Sequence, residues 1–197
     1  MSKVIVTATV SLDGFIADEK DGVGPMFDWY GNGDVAITLG DPDRVFHVTA
    51  TSAAHIREAL ADVRAVVVGR RVFDLTHGWN GVPPAGDHVF VVTHRPPADW
   101  PFPDAPFTFV TDGVPAAIER ARAAAGDGDV SVTAGEIGSQ AIAAGLVDEI
   151  HTSVTPVVLG SGRRFFVPGQ LPLVLLENPH VVAGDRVLHL VYPVRRT

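Results

Sequence analysis

Short apolar runs, each ended by a turn signal, follow one another along this chain of 197 residues. The first run, residues 3–10, is β-branched or apolar almost throughout, as in a strand that is covered on both faces. Residues 38–51 fit neither a strand nor a helix pattern clearly. Strands are predicted at residues 3–10, 65–68, 89–92 and 107–110, and helices at residues 52–61, where Ser52 is a plausible N-cap, 72–75 and 115–125.

The most informative segment of the chain is residues 129–166. Its predicted elements are a strand at residues 130–133, a turn at Ala134 and Gly135, a helix at residues 136–144 and a strand at residues 150–159. This order is sufficient for a βαβ unit. In such a unit the backbone N–H groups at the helix N-terminus face outward past the strand end and carry about half a positive charge. The segment therefore suits a bound phosphate.

The C-terminal residues predict an antiparallel pair of strands. Residues 173–177 and 187–192 have strand patterns, and residues 183–186 turn the chain between them. Alternating strands and helices elsewhere predict an α/β fold with a mostly parallel central sheet, to which this hairpin is added. Residues 1–197 are predicted to form a single domain. The aromatic-rich loop at residues 18–33 is expected to fold over either the core or a ligand.

Composition and charge exclude several classes of function. Fifteen Lys and Arg residues against 23 Asp and Glu residues give a net charge of −8, which disfavours nucleic-acid and anionic-membrane partners. The chain has no cysteine, so disulfide scaffolds, thiolate nucleophiles and cysteine-based metal sites are excluded. Its eight histidines lack metal-ligand spacing, and no metal site is predicted. A cytoplasmic location is expected, since neither a signal-peptide pattern nor an apolar run of about 20 residues is present.

Glycine and polar residues follow four of the predicted strands. Ligands in parallel sheets bind past the carboxyl ends of the strands, so these residues should meet at one edge. Glycines let a phosphate approach the backbone, arginines grip it in a fork, and a threonine hydroxyl adds a neutral donor. The candidates are Gly69, Arg70 and Arg71; Thr93, His94 and Arg95; Thr111 and Asp112; and Ala134, Gly135 and Glu136. The GxGxxG and GxxxxGK[ST] motifs are absent, which disfavours a Rossmann domain or a P-loop enzyme.

Each of these candidates also has a simpler structural interpretation. Arg70 and Arg71 could be surface arginines at a strand end. Residues 93–95 could form an ordinary solvated loop. Gly135 and Gly138 could serve only the packing of a helix against the sheet.

Two carboxylates are candidates for chemistry. Asp13 follows the first strand and precedes an apolar segment, where burial would raise its pKa towards a useful acid–base range. It could instead form an Asx turn before Gly14. Asp28 beside Trp29 could hold a planar substrate, or the pair could be a hydrophobic anchor. His151 lies within a strand and is more typical of a sheet residue than of a base.

Four motifs of the chain resemble one known family. They are SLDGFIA at residues 11–17, VVVGRRVFD at residues 66–74, VVTHRPP at residues 91–97 and AGEIGSQAIAAGLVDEIHTSVTPVVLGSGRRFF at residues 134–166. Their sequences and order are similar to those of the dihydrofolate reductase superfamily, in the branch of the riboflavin-biosynthesis reductase domain. The resemblance implies a dihydrofolate-reductase-like fold, NADPH as the cofactor and a homodimer.

The resemblance also implies roles for individual residues. It places Gly69, Arg70, Arg71 and Val72 at the cofactor phosphates, Thr93, His94 and Arg95 near the adenosine 2′-phosphate, Gly135, Glu136, Ile137 and Gly138 at the pyrophosphate, and Ala8, Thr9 and Ile16 beside the nicotinamide. Ala134 stands where the family commonly has a first glycine. Residues 18–51 do not match the folate-binding part of true dihydrofolate reductases, so folate is not the expected substrate.

These expectations together predict an NADPH-dependent reductase that transfers hydride to a small, planar or carbonyl-type substrate. Its substrate pocket should lie between residues 11–17, the aromatic residues at 26–30 and the helix at 136–144. Two alternatives stay open. One is a nucleotide-binding protein without catalytic turnover, and the other is a flavin-binding reductase.

Overall fold

An eight-stranded sheet forms the centre of the computed structural model, which describes residues 2–196. In chain order the strands are β1 (Val4–Ser11), β2 (Phe15–Ala17), β3 (Val35–Thr38), β4 (Val45–Val48), β5 (Val63–Gly69), β6 (His88–Val92), β7 (Phe107–Val110), β8 (Asp129–Thr133), β9 (Glu149–Thr155), β10 (Arg163–Arg164), β11 (His180–Gly184) and β12 (Val187–Pro193). The helices are α1 (Ala50–Leu60), α2 (Arg70–Leu75), α3 (Val114–Ala125) and α4 (Glu136–Ala143), with 3-10 segments at Gly24–Gly31 and His77–Gly81.

The order of strands in the central sheet is β11-β12-β9-β1-β8-β5-β6-β7. The strands from β9 to β7 run parallel, and β12 joins β9 and β11 in antiparallel pairing. Helices cover the sheet as expected for an α/β protein. The predicted fold class is therefore confirmed, including the C-terminal antiparallel hairpin.

β1 lies inside the sheet, between β8 and β9. Val4 and Val6 on one of its faces are fully buried against α3 and α4, together with Val130 and Val132 of β8. A strand that is covered on both faces needs apolar residues at consecutive positions, which explains the uninterrupted pattern of the first run. This face of the sheet holds the largest core of the protein.

The other face of the sheet carries two smaller cores. One surrounds Phe73 of α2 and includes Val66 and Val68 of β5. The other brings Trp29 of the 3-10 segment against α1 and β12, with Ala53 and Val187 among its members. The aromatic-rich loop thus folds over the protein core, which was one of its two predicted alternatives.

The structure corrects two predicted strands near the C-terminus. Residues 173–177 are not a strand of the hairpin: β12 pairs with β11, and only Leu176 makes an isolated bridge, to Val194. Residues 173–177 alternate because Val174 and Leu176 pack against the largest core from outside the sheet. β9 ends at Thr155 and not at residue 159, since Pro156 has no N–H to continue the ladder.

The structure also corrects the start of α1. Thr49, and not Ser52, is the N-cap, because the Thr49 hydroxyl accepts a hydrogen bond from the Ser52 N–H at 3.3 Å. The unassigned residues 38–51 contain the end of β3, the whole of β4, this cap and the first residues of α1.

Candidate functional site

The ends of β5 and β6 meet at the carboxyl edge of the sheet. The Arg70 guanidinium at the start of α2 donates to the backbone oxygen of Arg95, with an Nη1–O distance of 2.6 Å. The Thr93 hydroxyl donates to the same oxygen at 2.9 Å. His94 and Arg95 are exposed, whereas Thr93 is buried. Arg70, which follows β5, and Thr93, which follows β6, are therefore joined through the Arg95 oxygen.

α4 begins beside this cluster. A Cβ atom on Gly69 would lie 3.0 Å from Cγ1 of Ile137, so the first turn of α4 packs directly against the end of β5. Among residues 2–196 no side chain caps the N-terminus of α4. The first-turn N–H groups have no intrahelical partner, and with the helix dipole they make this end of α4 attractive to an anion.

The glycines of α4 serve different purposes. Gly135 precedes the helix at a φ of 82°, a conformation that L side chains rarely adopt. Gly138 faces the sheet, where a Cβ atom would come within 2.8 Å of Cγ1 of Val6 and 3.0 Å of the Thr133 oxygen. Gly138 is therefore required by helix–sheet packing, which is the simpler of the two interpretations made from sequence. Glu136 is exposed and its carboxylate accepts from the Gln170 amide at 3.3 Å.

Of the residues expected beside a nicotinamide, Ile16 lies next to the start of α4. Cδ1 of Ile16 is 3.3 Å from where a Cβ of Gly135 would be. Thr9 is buried and stands opposite Ser153 of β9 in the register, while Ala8 packs against the largest core. Ile16 thus brings residues 11–17 against the start of the central helix.

An ion-pair cluster that was not predicted from sequence adjoins these residues. The carboxylate of Asp21 accepts from Nε of Arg71 at 2.7 Å and from Nε of Arg163 at 3.2 Å. The hydrogen bond from Arg71 is the main reason that the pKa of Asp21 lies below its ordinary value. The only sequence signal was the turn-forming Asp21-Gly22 dipeptide, which does not indicate a partner 50 residues away.

Asp13 does not have the environment that was predicted for it. Its carboxylate accepts from the Ser11 hydroxyl at 2.6 Å and from the N–H groups of Leu159 and Gly160 at 3.1 and 2.7 Å. These bonds, that of Ser11 foremost, lower the pKa of Asp13 to about 2. The expected rise in pKa is wrong, because hydrogen bonds to the ionised form outweigh its partial desolvation. Asp13 is an anion at neutral pH and connects the end of β1 to residues 159–160.

Trp29 and Asp28 are neighbours in sequence but differ in burial. Trp29 is almost completely buried, stacks on Tyr30 with ring centroids 3.9 Å apart, and meets the ring of His189 edge-on at 5.1 Å. Asp28 is exposed on the same 3-10 segment. Burial raises the pKa of Tyr30 to about 12. Of the two interpretations of the Asp28–Trp29 pair, the geometry favours the hydrophobic anchor, so Met26 and Trp29 do not line an open pocket.

A buried histidine was also missed. His189 has no exposed surface, and its two ring nitrogens contact the hydroxyls of Ser52 and Ser153 at 3.0 and 2.9 Å. Burial lowers the pKa of His189 to about 4. The position of His189 on the buried face of β12, two residues after Val187, was a usable signal. His151 faces the same side of the sheet and pairs with Glu149 at 2.9 Å.

Two surface cavities lie away from the strand-end cluster. One of about 730 Å³ is bordered by the C-terminal end of α4, residues 172–175 and residues 194–196. The other, about 350 Å³, lies near Arg64 and Gly128, at the amino ends of β5 and β8. Neither is formed by the residues predicted to bind a cofactor. Within the described part of the chain, no group of three or more potential ligands is placed to hold a metal ion, and no helix is long and apolar enough to cross a membrane.

Comparison with known families settles the relationship of this chain. The model of the RibD C-terminal domain matches residues 2–190. The chain belongs to the RibD C-terminal domain family. This membership supports a reductase, and the resemblance stated from the four sequence motifs is confirmed. A search of curated proteins gave no significant match.

Solved structures share the fold along the whole chain. A putative riboflavin biosynthesis protein from Shewanella sp. PV-4 is 21% identical with a TM-score of 0.69. The match covers 98% of this chain and 99% of that chain. A pyrimidine reductase-like protein from Corynebacterium diphtheriae is 14% identical with a TM-score of 0.61, over 100% of this chain and 93% of that one. A Thermotoga maritima diaminohydroxyphosphoribosylaminopyrimidine deaminase/5-amino-6-(5-phosphoribosylamino)uracil reductase is 15% identical with a TM-score of 0.63, and 98% of this chain spans 57% of its length.

Proposed function

We propose that the protein is an NADPH-dependent reductase that transfers hydride to a small, planar or carbonyl-type substrate other than folate. One observation carries the proposal: the glycine and arginine residues after β5, the loop after β6 and the N-terminus of α4 converge at the carboxyl edge of the sheet. Membership of a reductase family supports the same conclusion.

The residues at this edge fit a dinucleotide phosphate chemically. In a chain of net charge −8, the edge concentrates three guanidinium groups, a threonine hydroxyl and the uncapped start of α4. We assign Gly69, Arg70, Arg71 and Val72 to the phosphates, Thr93, His94 and Arg95 to the 2′-phosphate, the backbone of Ala134, Gly135, Glu136, Ile137 and Gly138 to the pyrophosphate, and Ala8, Thr9 and Ile16 to the nicotinamide. Bound NADPH would supply the hydride.

The protein's own contribution would be positioning. The Arg70–Arg95 contact fixes the two phosphate-binding loops relative to each other before any ligand arrives. Asp13, through Ser11 and the N–H groups of residues 159–160, fixes the turn at the end of β1. Groups that are already ordered lose less entropy on binding and hold reactants in contact.

The cofactor assignment is tested by titrating the protein with NADPH and then NADH while following tryptophan fluorescence. Wild type should bind NADPH more tightly. Arg95→Ala should weaken NADPH by about tenfold or more, and NADH much less, because Arg95 is assigned to the 2′-phosphate, which NADH lacks. Arg195→Ala is the matched control, since Arg195 is also an exposed arginine but pairs with Glu177 at 2.7 Å, far from this edge. Equal losses for both nucleotides in Arg95→Ala would contradict the assignment.

A second candidate function is nucleotide binding without turnover. The observation that favours it is Asp13, because a carboxyl with a pKa of about 2 is not a proton donor at neutral pH. The two functions are separated by a screen of carbonyl and heterocyclic substrates that follows the loss of NADPH absorbance. Binding without any consumption would support the second candidate, and a colourless purified protein would argue against a flavin-binding reductase. The cytoplasmic location, the homodimer and the lack of nucleic-acid or membrane partners stay predictions.

A further inference from the structure

Two short strands form a flap over the start of α4. We define the flap as residues 15–22 with residues 163–164. β2 and β10 pair antiparallel, with Arg163 opposite Ala17 and Arg164 opposite Phe15. The Arg164 guanidinium lies 4.4 Å above the Phe15 ring, and the Arg164 oxygen is 3.8 Å from where a Cβ of Gly135 would be. The flap therefore borders the N-terminus of α4 at Gly135, whereas the end of β5 contacts α4 at Ile137.

The tip of the flap presents Asp21 in an unusual conformation. The Asp18 carboxylate accepts from the N–H groups of Lys20 and Gly22, both at 2.8 Å, and closes a tight turn. Asp21 within that turn has a φ of 67°, in the left-handed region that non-glycine residues rarely occupy. The turn directs its carboxylate to Arg71 and Arg163.

Asp21 connects the two sides of the α4 N-terminus. Arg71 follows Gly69, which contacts Ile137, whereas Arg163 belongs to β10, which adjoins Gly135. The Asp21 side chain is 11% exposed, and the side chains of Arg71 and Arg163 are 58% and 47% exposed. One anion thus meets two cations, and the cluster keeps a net positive charge in an acidic protein.

We propose that Arg71 and Arg163 form one diphosphate-binding pair, and that Asp21 occupies it as a built-in anion until a diphosphate displaces it. Arg163 is then a cofactor-binding residue in addition to those assigned above. The inference extends the proposed function, since the pyrophosphate of a dinucleotide is the expected ligand. A diphosphate carries more charge than one carboxylate and can bind both guanidinium groups in forked geometry, so it can replace Asp21.

A purely structural role for the cluster makes a different prediction. If Asp21 served only to hold the flap in place, its removal would loosen the flap and would not improve the binding of any anion. If Asp21 competes with a ligand, its removal must raise anion affinity, and the gain must depend on Arg163. The two interpretations therefore differ in whether removal of Asp21 raises the affinity for an anion.

The test is a calorimetric titration of wild type and variants with inorganic pyrophosphate. Asp21→Asn should bind pyrophosphate about tenfold more tightly than wild type, and Arg163→Ala several-fold more weakly, by roughly one charge-assisted hydrogen bond each. Asp21→Asn combined with Arg163→Ala should lose the gain. Glu19→Gln is the matched control, because it removes the same charge from an exposed position in the same turn and should change affinity less than about twofold.

The proposal is overturned if Asp21→Asn binds pyrophosphate no more tightly than Glu19→Gln, or if the gain survives in the double variant. Asp21→Gly provides a second variant, since glycine accepts the left-handed conformation without strain and also lacks the carboxylate. Repeating the titrations with NADPH separates this inference from the proposed function. If the variants show the expected pyrophosphate affinities but the protein does not bind NADPH, only the cofactor assignment is refuted. If the protein binds NADPH but the Asp21 and Arg163 variants do not change pyrophosphate affinity as expected, only this inference is refuted.

Discussion

Mild acidification should destabilise the protein through His189. This side chain is fully buried between Ser52 and Ser153, and its ring stacks on His55 with centroids 4.3 Å apart. A neutral imidazole offers one donor and one acceptor, which two serine hydroxyls satisfy. Burial, with a smaller contribution from His55, lowers the pKa of His189 from 6.5 to about 4. The folded state therefore holds His189 neutral where the unfolded chain would protonate it.

The size and direction of the effect follow from this pKa difference. The stability due to neutral His189 is complete above about pH 6.5 and is lost as the pH falls towards about 4. At about pH 5 the loss amounts to about 2 kcal/mol, and it levels off near about 3 kcal/mol at lower pH. His55 and His88, whose pKa values are also lowered by burial, act in the same direction. Carboxylates contribute only at lower pH, since their ordinary pKa values are 3.8 and 4.5.

The assay is urea unfolding at several pH values between about 7.5 and 5, for wild type, His189→Asn and His47→Gln. His189→Asn should be less stable at neutral pH but should lose about 2 kcal/mol less than wild type across this range. His47 is exposed on β4, so His47→Gln should retain the wild-type pH dependence. An unchanged pH dependence in His189→Asn would refute the reasoning. Titration of the His189 ring signals by NMR is an independent check, and a midpoint near 6.5 would refute it equally.

Two further predictions concern residues near the candidate site. Gly138→Ala should destabilise the fold by about 1–3 kcal/mol, because its Cβ would meet Val6 and backbone at Thr133 in a packed interface, and an unchanged melting temperature would contradict this. Asp13→Asn removes one of two carboxylate acceptors, so the N–H of Leu159 or Gly160 should exchange with solvent faster, whereas exposed Asp28→Asn should leave both unaffected.

The parts of the fold that sequence predicted best are those set by local pattern. β1, β5 and β6 are buried on both faces, so their runs of valine need no knowledge of partners. The hairpin strand that pairs with β12 was predicted at the wrong place, since residues 173–177 and β11 both alternate and only the pairing itself distinguishes them. Pairing is a long-range property that periodicity does not contain.

The same contrast between local pattern and long-range contacts applies to the candidate site. The meeting of Arg70 with the loop after β6 could be predicted, because carboxyl ends of neighbouring parallel strands must share an edge. The pKa of Asp13 could not, since its backbone donors lie 146 and 147 residues along the chain. The partners of Asp21 lie 50 and 142 residues away, and those of His189 lie 137 and 36 residues away. Local pattern indicates which polar residues lie at a strand end. Their protonation depends on the hydrogen-bond partners that the fold brings to them from distant parts of the chain.

The interior position of β1 has a consequence for the order in which the protein can form during synthesis. β1 is translated early, but both of its neighbours, β8 and β9, lie more than 120 residues later. At about 5–20 residues per second, a ribosome needs roughly 6–25 seconds to reach β8. During that time the valines of β1 have no sheet to join, and they must be kept from other chains. Among the strands of the central sheet, β1 is therefore the one that waits longest for a neighbour.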